Sequence, residues 1–239
     1  MAEESKTQLE SAPSEEMIEE PKKHKDKVGA GLRFVKSKGN CRKCRRLGIK
    51  LFLKGEKCFS AKCPLIRRSY APGQHGQKPI KISDYSRHLQ EKQKLSLMYG
   101  LKDRQLRNIV KKASQRKENT EEEIIQLLER RLDNIIFKTG WALSLAQARK
   151  LVIAGHFYLN AKRINRPGYL VRVGDVISLS PRAKNLKLFQ EIILPPAKDK
   201  NYPNWLERKA QEIKIVRFPK KDEVHINIEF PLVIEFYKK

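Results

Sequence analysis

The chain has little acid, few aromatic residues and no cysteine outside one short stretch. Of its 239 residues, 27 are Asp or Glu against 52 Lys or Arg, a net charge of +25. A compact body with that imbalance repels itself unless a polyanion neutralises it. No apolar run approaches the ~20 residues that span a bilayer. The first twenty residues hold no apolar signal core but seven glutamates and one lysine. The expectation is a cytoplasmic chain that neither crosses a membrane nor is exported. Walker-type phosphate loops, paired His/carboxylate metal motifs and nucleophile elbows are all missing. No small-molecule substrate is therefore expected, and nucleic acid is the leading partner. Hydrophobic residues still make up 39%, which allows one or two domains with real cores.

All four cysteines, Cys41, Cys44, Cys58 and Cys63, lie in CRKCRRLGIKLFLKGEKCFSAKC, spaced C-x2-C-x13-C-x4-C. Four thiolates so spaced can close a tetrahedral metal site. Disulfides suit an exported protein, and freely reduced thiols are the bland reading. The flanking cations favour ionised thiolates and hence metal capture. Zinc is the default ion, and an iron–sulfur cluster fits the same donors. Those cations also suit the segment to a polyanion.

Residues 1–31 read as a tail, acidic and then basic, with few large apolar side chains. The bland reading is a solvated tail, and the sharper one is an acidic shield that limits non-specific RNA binding. Residues 32–80 read as loop-rich, with breakers at Pro72, Gly73 and Gly76. Helices are expected from Ser83 to Gly100 and from Lys102 to Arg116. A third opens on a capping box at Thr120–Glu123 and runs through Ile124, Leu128, Leu132, Ile135 and Ile136 to Gly140. A fourth runs from a capping box at Ser144–Gln147 to Gly155, with Gln147, Arg149 and Lys150 off its apolar face. Period two then begins, with short strands at 157–159, 163–165, 169–171 and 176–179. Residues 185–193 read as helical and 231–237 as a strand or extended segment. Pro231 suggests a sheet edge for that segment. Trp205 reads as a packing anchor.

The motifs CRKCRR, LFLKGEKC, PGQHGQ, LQEKQKL, QLLERRLDN, LAQARKLV, GHFYLNAKRIN, GDVISL, PNWLE and LVIEFY occur in this order. Together they resemble the bacterial-type small-subunit ribosomal protein S-four family, from about Arg33 to Lys239. The resemblance implies an α+β protein. A helical first domain with a four-cysteine metal knuckle would span 32–120 and 181–239. An RNA-binding module of helices packed on a small antiparallel sheet would be inserted at 121–180. It implies direct binding to small-subunit ribosomal RNA, nucleation of assembly of the subunit body, contact with the neighbouring protein S-five and an influence on decoding accuracy. Metal binding in four-cysteine relatives extends the ligand role to Cys41, Cys44, Cys58 and Cys63. Two features depart from the family pattern. One is the acidic tail. The other is Ala161 in the hairpin, where Asn-Ala suits a primed turn less well than Asn-Gly and suggests a wider turn.

The expected mechanism is binding: cations neutralise phosphates and release counterions, and RNA is read mainly by shape. Arg42, Lys43, Arg45, Arg46, Lys54, Lys57, Arg67 and Arg68 are candidate contacts around the knuckle. Gln74 and His75 are candidates in the loop, and Arg131, Gln147, Arg149, Lys150, Lys162 and Arg163 on the module. The module also occurs on enzymes, and Arg131-Leu132-Asp133 superficially resembles a pseudouridine synthase motif. The apolar stripe through Asn134–Phe137 puts Asp133 inside a helix, and no catalytic β-domain follows, so no enzyme is expected. A free RNA chaperone would share the surface chemistry but need neither the knuckle nor the long carboxyl-terminal match.

Overall fold

The computed structural model describes residues 39–78, 81–116, 119–186, 189–190, 203–209, 211–224 and 226–238. The acidic tail and most of the expected 185–193 helix fall outside them. All described residues belong to one compact unit, Ser37–Lys239. Two hydrophobic cores organise it.

The first core is helical. Helix α4 (Asp84–Met98) starts where Ser83 accepts a hydrogen bond from the Ser86 amide at 3.3 Å, as the sequence predicts. It is followed by α5 (Asp103–Ser114) and α6 (Thr120–Glu129). The N-cap of α6 is Asn119, which accepts from the Glu121 amide at 3.2 Å, one residue before the expected Thr120. After the short α9 (Pro181–Lys184), the last helix described, α10 (Phe230–Lys238), packs across α4 and α5. This corrects the expected terminal strand. Phe230, Val233, Ile234 and Tyr237 all pack in the core, and their i, i+3, i+4, i+7 spacing is helical. Pro231 sits in the first helical turn, where its missing N–H costs nothing. Tyr237 donates to Asp103 at 2.9 Å, and Lys92 bonds the same carboxylate oxygen at 2.9 Å.

The single helix expected through Leu132 is two helices. Arg130 and Arg131 interrupt it, and α7 (Leu132–Lys138) starts afresh. The Leu132 amide bonds Tyr169 O at 3.0 Å and the Asp133 amide bonds Pro167 O at 3.1 Å. Loop carbonyls thus take the donors that a continuous helix would have satisfied internally. The apolar period survives the break because Ile124 and Leu128 face the helical core while Leu132, Ile135 and Ile136 face the second.

The second core joins α7 and α8 (Leu145–Ile153) to an antiparallel sheet with strand order β2-β1-β3-β5-β4. Its strands are β1 (Phe157–Leu159), β2 (Lys162–Ile164), β3 (Val176–Leu179), β4 (Leu206–Arg208) and β5 (Glu212–Ile215). The 169–171 stretch contributes only an isolated bridge, Arg131 to Leu170. Strands β4 and β5 complete this sheet, although the resemblance implies that they belong with the helical domain. Helix α6, expected in the module, belongs to the helical core. The change of core falls between Glu129 and Leu132, not after residue 120. Trp205 is buried in the sheet core, as expected of a packing anchor.

The β1–β2 turn is tight. Leu159 pairs with Lys162, and Asn160 and Ala161 have φ of 47° and 67°. A two-residue primed turn therefore forms despite the alanine, correcting the wider turn expected. The Asn160 side chain explains it: its Oδ1 accepts from the Val176 amide at 2.9 Å and its Nδ2 donates to Asp175 at 2.8 Å. Both bonds tie the tip to the neighbouring strand.

Candidate nucleic-acid interface and cysteine knuckle

The knuckle is built on short helices where the sequence suggested loops: α1 (Asn40–Leu47), α2 (Glu56–Phe59) and α3 (Pro64–Arg67). The x2 spacing puts Cys41 and Cys44 about one turn apart on α1. Cys58 lies in α2, and Cys63 precedes α3. All four are free thiols. Cys44, Cys58 and Cys63 are buried and Cys41 half-buried. They line a common cavity of about 20 Å³. The Lys54 amide donates to Cys58 Sγ at 3.4 Å. Burial pushes the Cys44 thiol up, a backbone hydrogen bond at Leu51 pulls it back, and the other three cysteines raise it further. At Cys44 burial is the largest of these influences. Among the described residues, no three His, Cys, Asp or Glu side chains stand at metal-holding geometry. The residues present are four thiols around one cavity with an N–H···S contact, donors of the type that soft metals take.

Knuckle cations are mostly outward. Arg42, Lys43, Arg46, Lys57, Arg67 and Arg68 are exposed, as are Gln74 and His75, and Lys54 is half-buried. Arg45 instead holds the fold together. It donates to Tyr70 O at 3.0 Å and to Ala71 O at 3.4 Å, and lies 5.0 Å over the Tyr70 ring. These bonds brace the loop that ends at Gly76, where a Cβ would stand 1.9 Å from Ala71 O. At Gly55 the knuckle meets the module. Its φ is +59°, and a Cβ there would stand 2.5 Å from Leu143 O.

The module candidates divide. Lys150, Lys162 and Arg163 are exposed. Arg163 also donates to Ala154 O at 3.3 Å. His156 is held below its usual range by burial and then by Arg163. Two candidates are internal, contrary to expectation. Arg131 is buried and bonds Asp133 at 2.8 and 3.2 Å. Gln147 is buried and accepts from the Leu143 amide at 2.9 Å, completing the start of α8. An arginine or glutamine off an apolar stripe reads as surface, yet the neighbouring chain covers both. Arg149 is intermediate: it donates to Gly100 O at 3.4 Å and lies 3.7 Å from Asp133. Asp133 is buried against these cations, so no open catalytic carboxylate exists there.

Sequence reasoning missed the buried junction between the cores. Glu129 accepts from Tyr99 Oη at 2.6 Å and Asn134 Nδ2 at 3.0 Å, and pairs with Lys138 at 2.5 Å. Burial, then Glu129, drives the Tyr99 hydroxyl pKa well up. The ERRLDN run marks this junction, though only as an unusual density of charge. Beside it lies a cleft of about 580 Å³. Lys43 enters it from the knuckle, Lys138 and Arg149 from the module, and Leu97 and Met98 from the helical core. Glu129 and Asp133 line it too and pair with Lys138 and Arg149, so three cations and two acids far apart in sequence meet at one hollow.

The comparisons agree with this two-part build. The family described as Ribosomal protein S4/S9 N-terminal domain matches residues 36–129, and S4 domain matches 130–177. Their shared boundary is the break after α6. The small ribosomal subunit protein uS4 of Thermodesulfovibrio yellowstonii is 44% identical over 201 residues, 83% of this chain and 96% of that protein. Its namesake in Dictyoglomus thermophilum is 45% identical over 202 residues, 84% of this chain and 97% of that protein. The one in Thermoanaerobacter sp. strain X514 is 43% identical, with 83% and 96% covered. The chain belongs to the uS4 family of small-subunit ribosomal proteins.

Proposed function

We infer that this chain is a structural component of the small ribosomal subunit and binds its RNA directly. It works bound to the ribosome in the cytoplasm and is not an enzyme. The observation that carries this reading is the near-full-length similarity to small ribosomal subunit proteins uS4. The outward cations of the knuckle and the module support it, among them Arg42, Lys43, Arg46, Lys150 and Lys162. Phosphates neutralised along the cationic surface supply affinity, and the rigid junction of two cores supplies shape. The finer roles implied by the family are early nucleation of the subunit body, contact with protein S-five and an influence on accuracy.

The four cysteines are proposed to hold one metal ion, zinc being the default and an iron–sulfur cluster the alternative. The chemistry of the donors supports this. A bound ion would cross-link α1, α2 and α3, and its capture would release the thiol protons.

Binding is tested with Lys150→Glu combined with Lys162→Glu, both exposed and outside the cores. Affinity for small-subunit RNA should fall, and the slope of log affinity against log salt should become shallower by about 2. Circular dichroism should stay at wild type. Unchanged affinity and slope would remove these side chains from the interface.

A further inference from the structure

We infer that Phe52 and Phe59 form a stacking platform for one unpaired base of the bound RNA. This rests on the RNA-binding reading above and adds a contact to a base where the cations contact only phosphate. Scattered exposed apolar side chains are ordinary on a protein surface. Here several observations coincide on one pair.

The two rings are stacked, with centroids 5.0 Å apart and planes 28° apart. Phe52 is 41% exposed and Phe59 74%, so most of the Phe59 ring meets solvent. Exposed aromatic surface leaves unused the burial that a flat partner would supply. Phe52 also has φ +49°. A bulky residue in the left-handed region is a true outlier, and such strain is held by its surroundings.

Both rings line the cleft of about 580 Å³ beside Lys43, Lys138 and Arg149. The surrounding charge selects the occupant. Residues 39–68 contain ten Lys or Arg and one acid, Glu56. The cleft's own acids are engaged, Glu129 by Tyr99, Asn134 and Lys138, and Asp133 by Arg131. A phosphate can bind Lys43, which lines the same cleft, while its base lies on the Phe59 ring. Single-stranded positions in folded RNA offer such bases, and stacking accepts any of the four. A neighbouring protein would have to bring a dense acidic face and an apolar tip together.

The test is equilibrium binding of the full chain to small-subunit RNA over a salt series, with wild type, Phe59→Leu and Phe59→Tyr. Phe59→Leu keeps an apolar side chain but removes the π-face. It should bind about ten-fold more weakly or worse, with the salt slope unchanged, since no phosphate contact is lost. Phe59→Tyr keeps the ring and should bind like wild type. Full affinity in Phe59→Leu overturns the platform, as does an equal loss in Phe59→Tyr or a shallower slope. If wild type fails to bind the RNA, the broader reading fails. If wild type binds and Phe59→Leu binds equally, only the platform does.

Discussion

The knuckle and the sheet module are built on different physical grounds. Across residues 39–78 the buried apolar side chains are Leu51 and three cysteines, Cys44, Cys58 and Cys63. The module buries Trp141, Phe157, Trp205, Ile213 and many others in one continuous core. Trp141 and Phe157 stack at 5.8 Å. Burial at ~25 cal/mol per Å² of apolar surface stabilises the module outright. The knuckle has too little such surface, and its cations repel one another. It relies on its thiols, on the Arg45 brace and on Gly55 fitting against Leu143 O. One region depends on volume, the other on a few specific bonds.

The hardest way to break the comparison is to strip the metal proposed for the knuckle. Structural zinc sites contribute roughly 10 kcal/mol to folding, so this is the largest expected effect. Purified protein should carry about one ion per chain. Chelation, or Cys44→Ser, should make residues 39–78 protease-sensitive while the module's tryptophan fluorescence persists. Metal-free protein with a protease-resistant knuckle would dissolve the contrast.

The converse cut is Trp205→Ala. It opens a cavity in the sheet core and should cost about 3–5 kcal/mol, read by denaturant unfolding of the module. Trp205→Phe should recover most of that loss. Equal sensitivity of the knuckle thiols to both variants would mean that the two regions unfold as one.

A smaller change sharpens the picture of the module. Ala161 holds φ of 67° in the β1–β2 turn, a conformation glycine adopts freely. Ala161→Gly should stabilise the protein by about 0.5 kcal/mol, the relief of strain slightly exceeding the entropy cost. A loss of stability in thermal melts would show that the Asn160 bonds already absorb the strain.

The least effect is expected where α10 closes the helical core. Lys92 and then Tyr237 hold the Asp103 carboxyl below its usual range. Because its folded pKa is depressed, its contribution is complete above the unfolded value of about 3.9 and is lost as pH falls through the folded value. Hydrogen exchange in α10 should therefore accelerate only under acid. Asp103→Asn should remove that acid step. An acid response that survives the substitution would assign the step to another carboxylate.

Much of this was legible because local chemistry specifies it. Ser83 and Ser144 are N-caps as predicted, since each hydroxyl needs only the amide three residues on. Period two located β1 and β3, and helical spacing located α4, α5 and α8. The carboxyl-terminal helix was misread because its β-branched and aromatic residues suggest a strand, although their spacing is helical. The α6–α7 break was hidden because two cores, each using one helical face, join into one seamless stripe. Among the candidate contacts, exposure was anticipated correctly for Lys150 and Lys162. It was missed for Arg131 and Gln147, whose partners lie on neighbouring loops.

The sequence by itself determined the polyanion partner, the four-thiol set, the family and most element types. Charge, spacing and periodicity are properties of the chain and survive without coordinates. Tertiary structure decided which polar groups are interior, since burial depends on what another segment places over them. It also decided that β4 and β5 join the module's sheet and that Lys43, Lys138 and Arg149 line one cleft beside Phe52 and Phe59. Those juxtapositions join residues far apart in the chain, and only packing of the two cores brings them together.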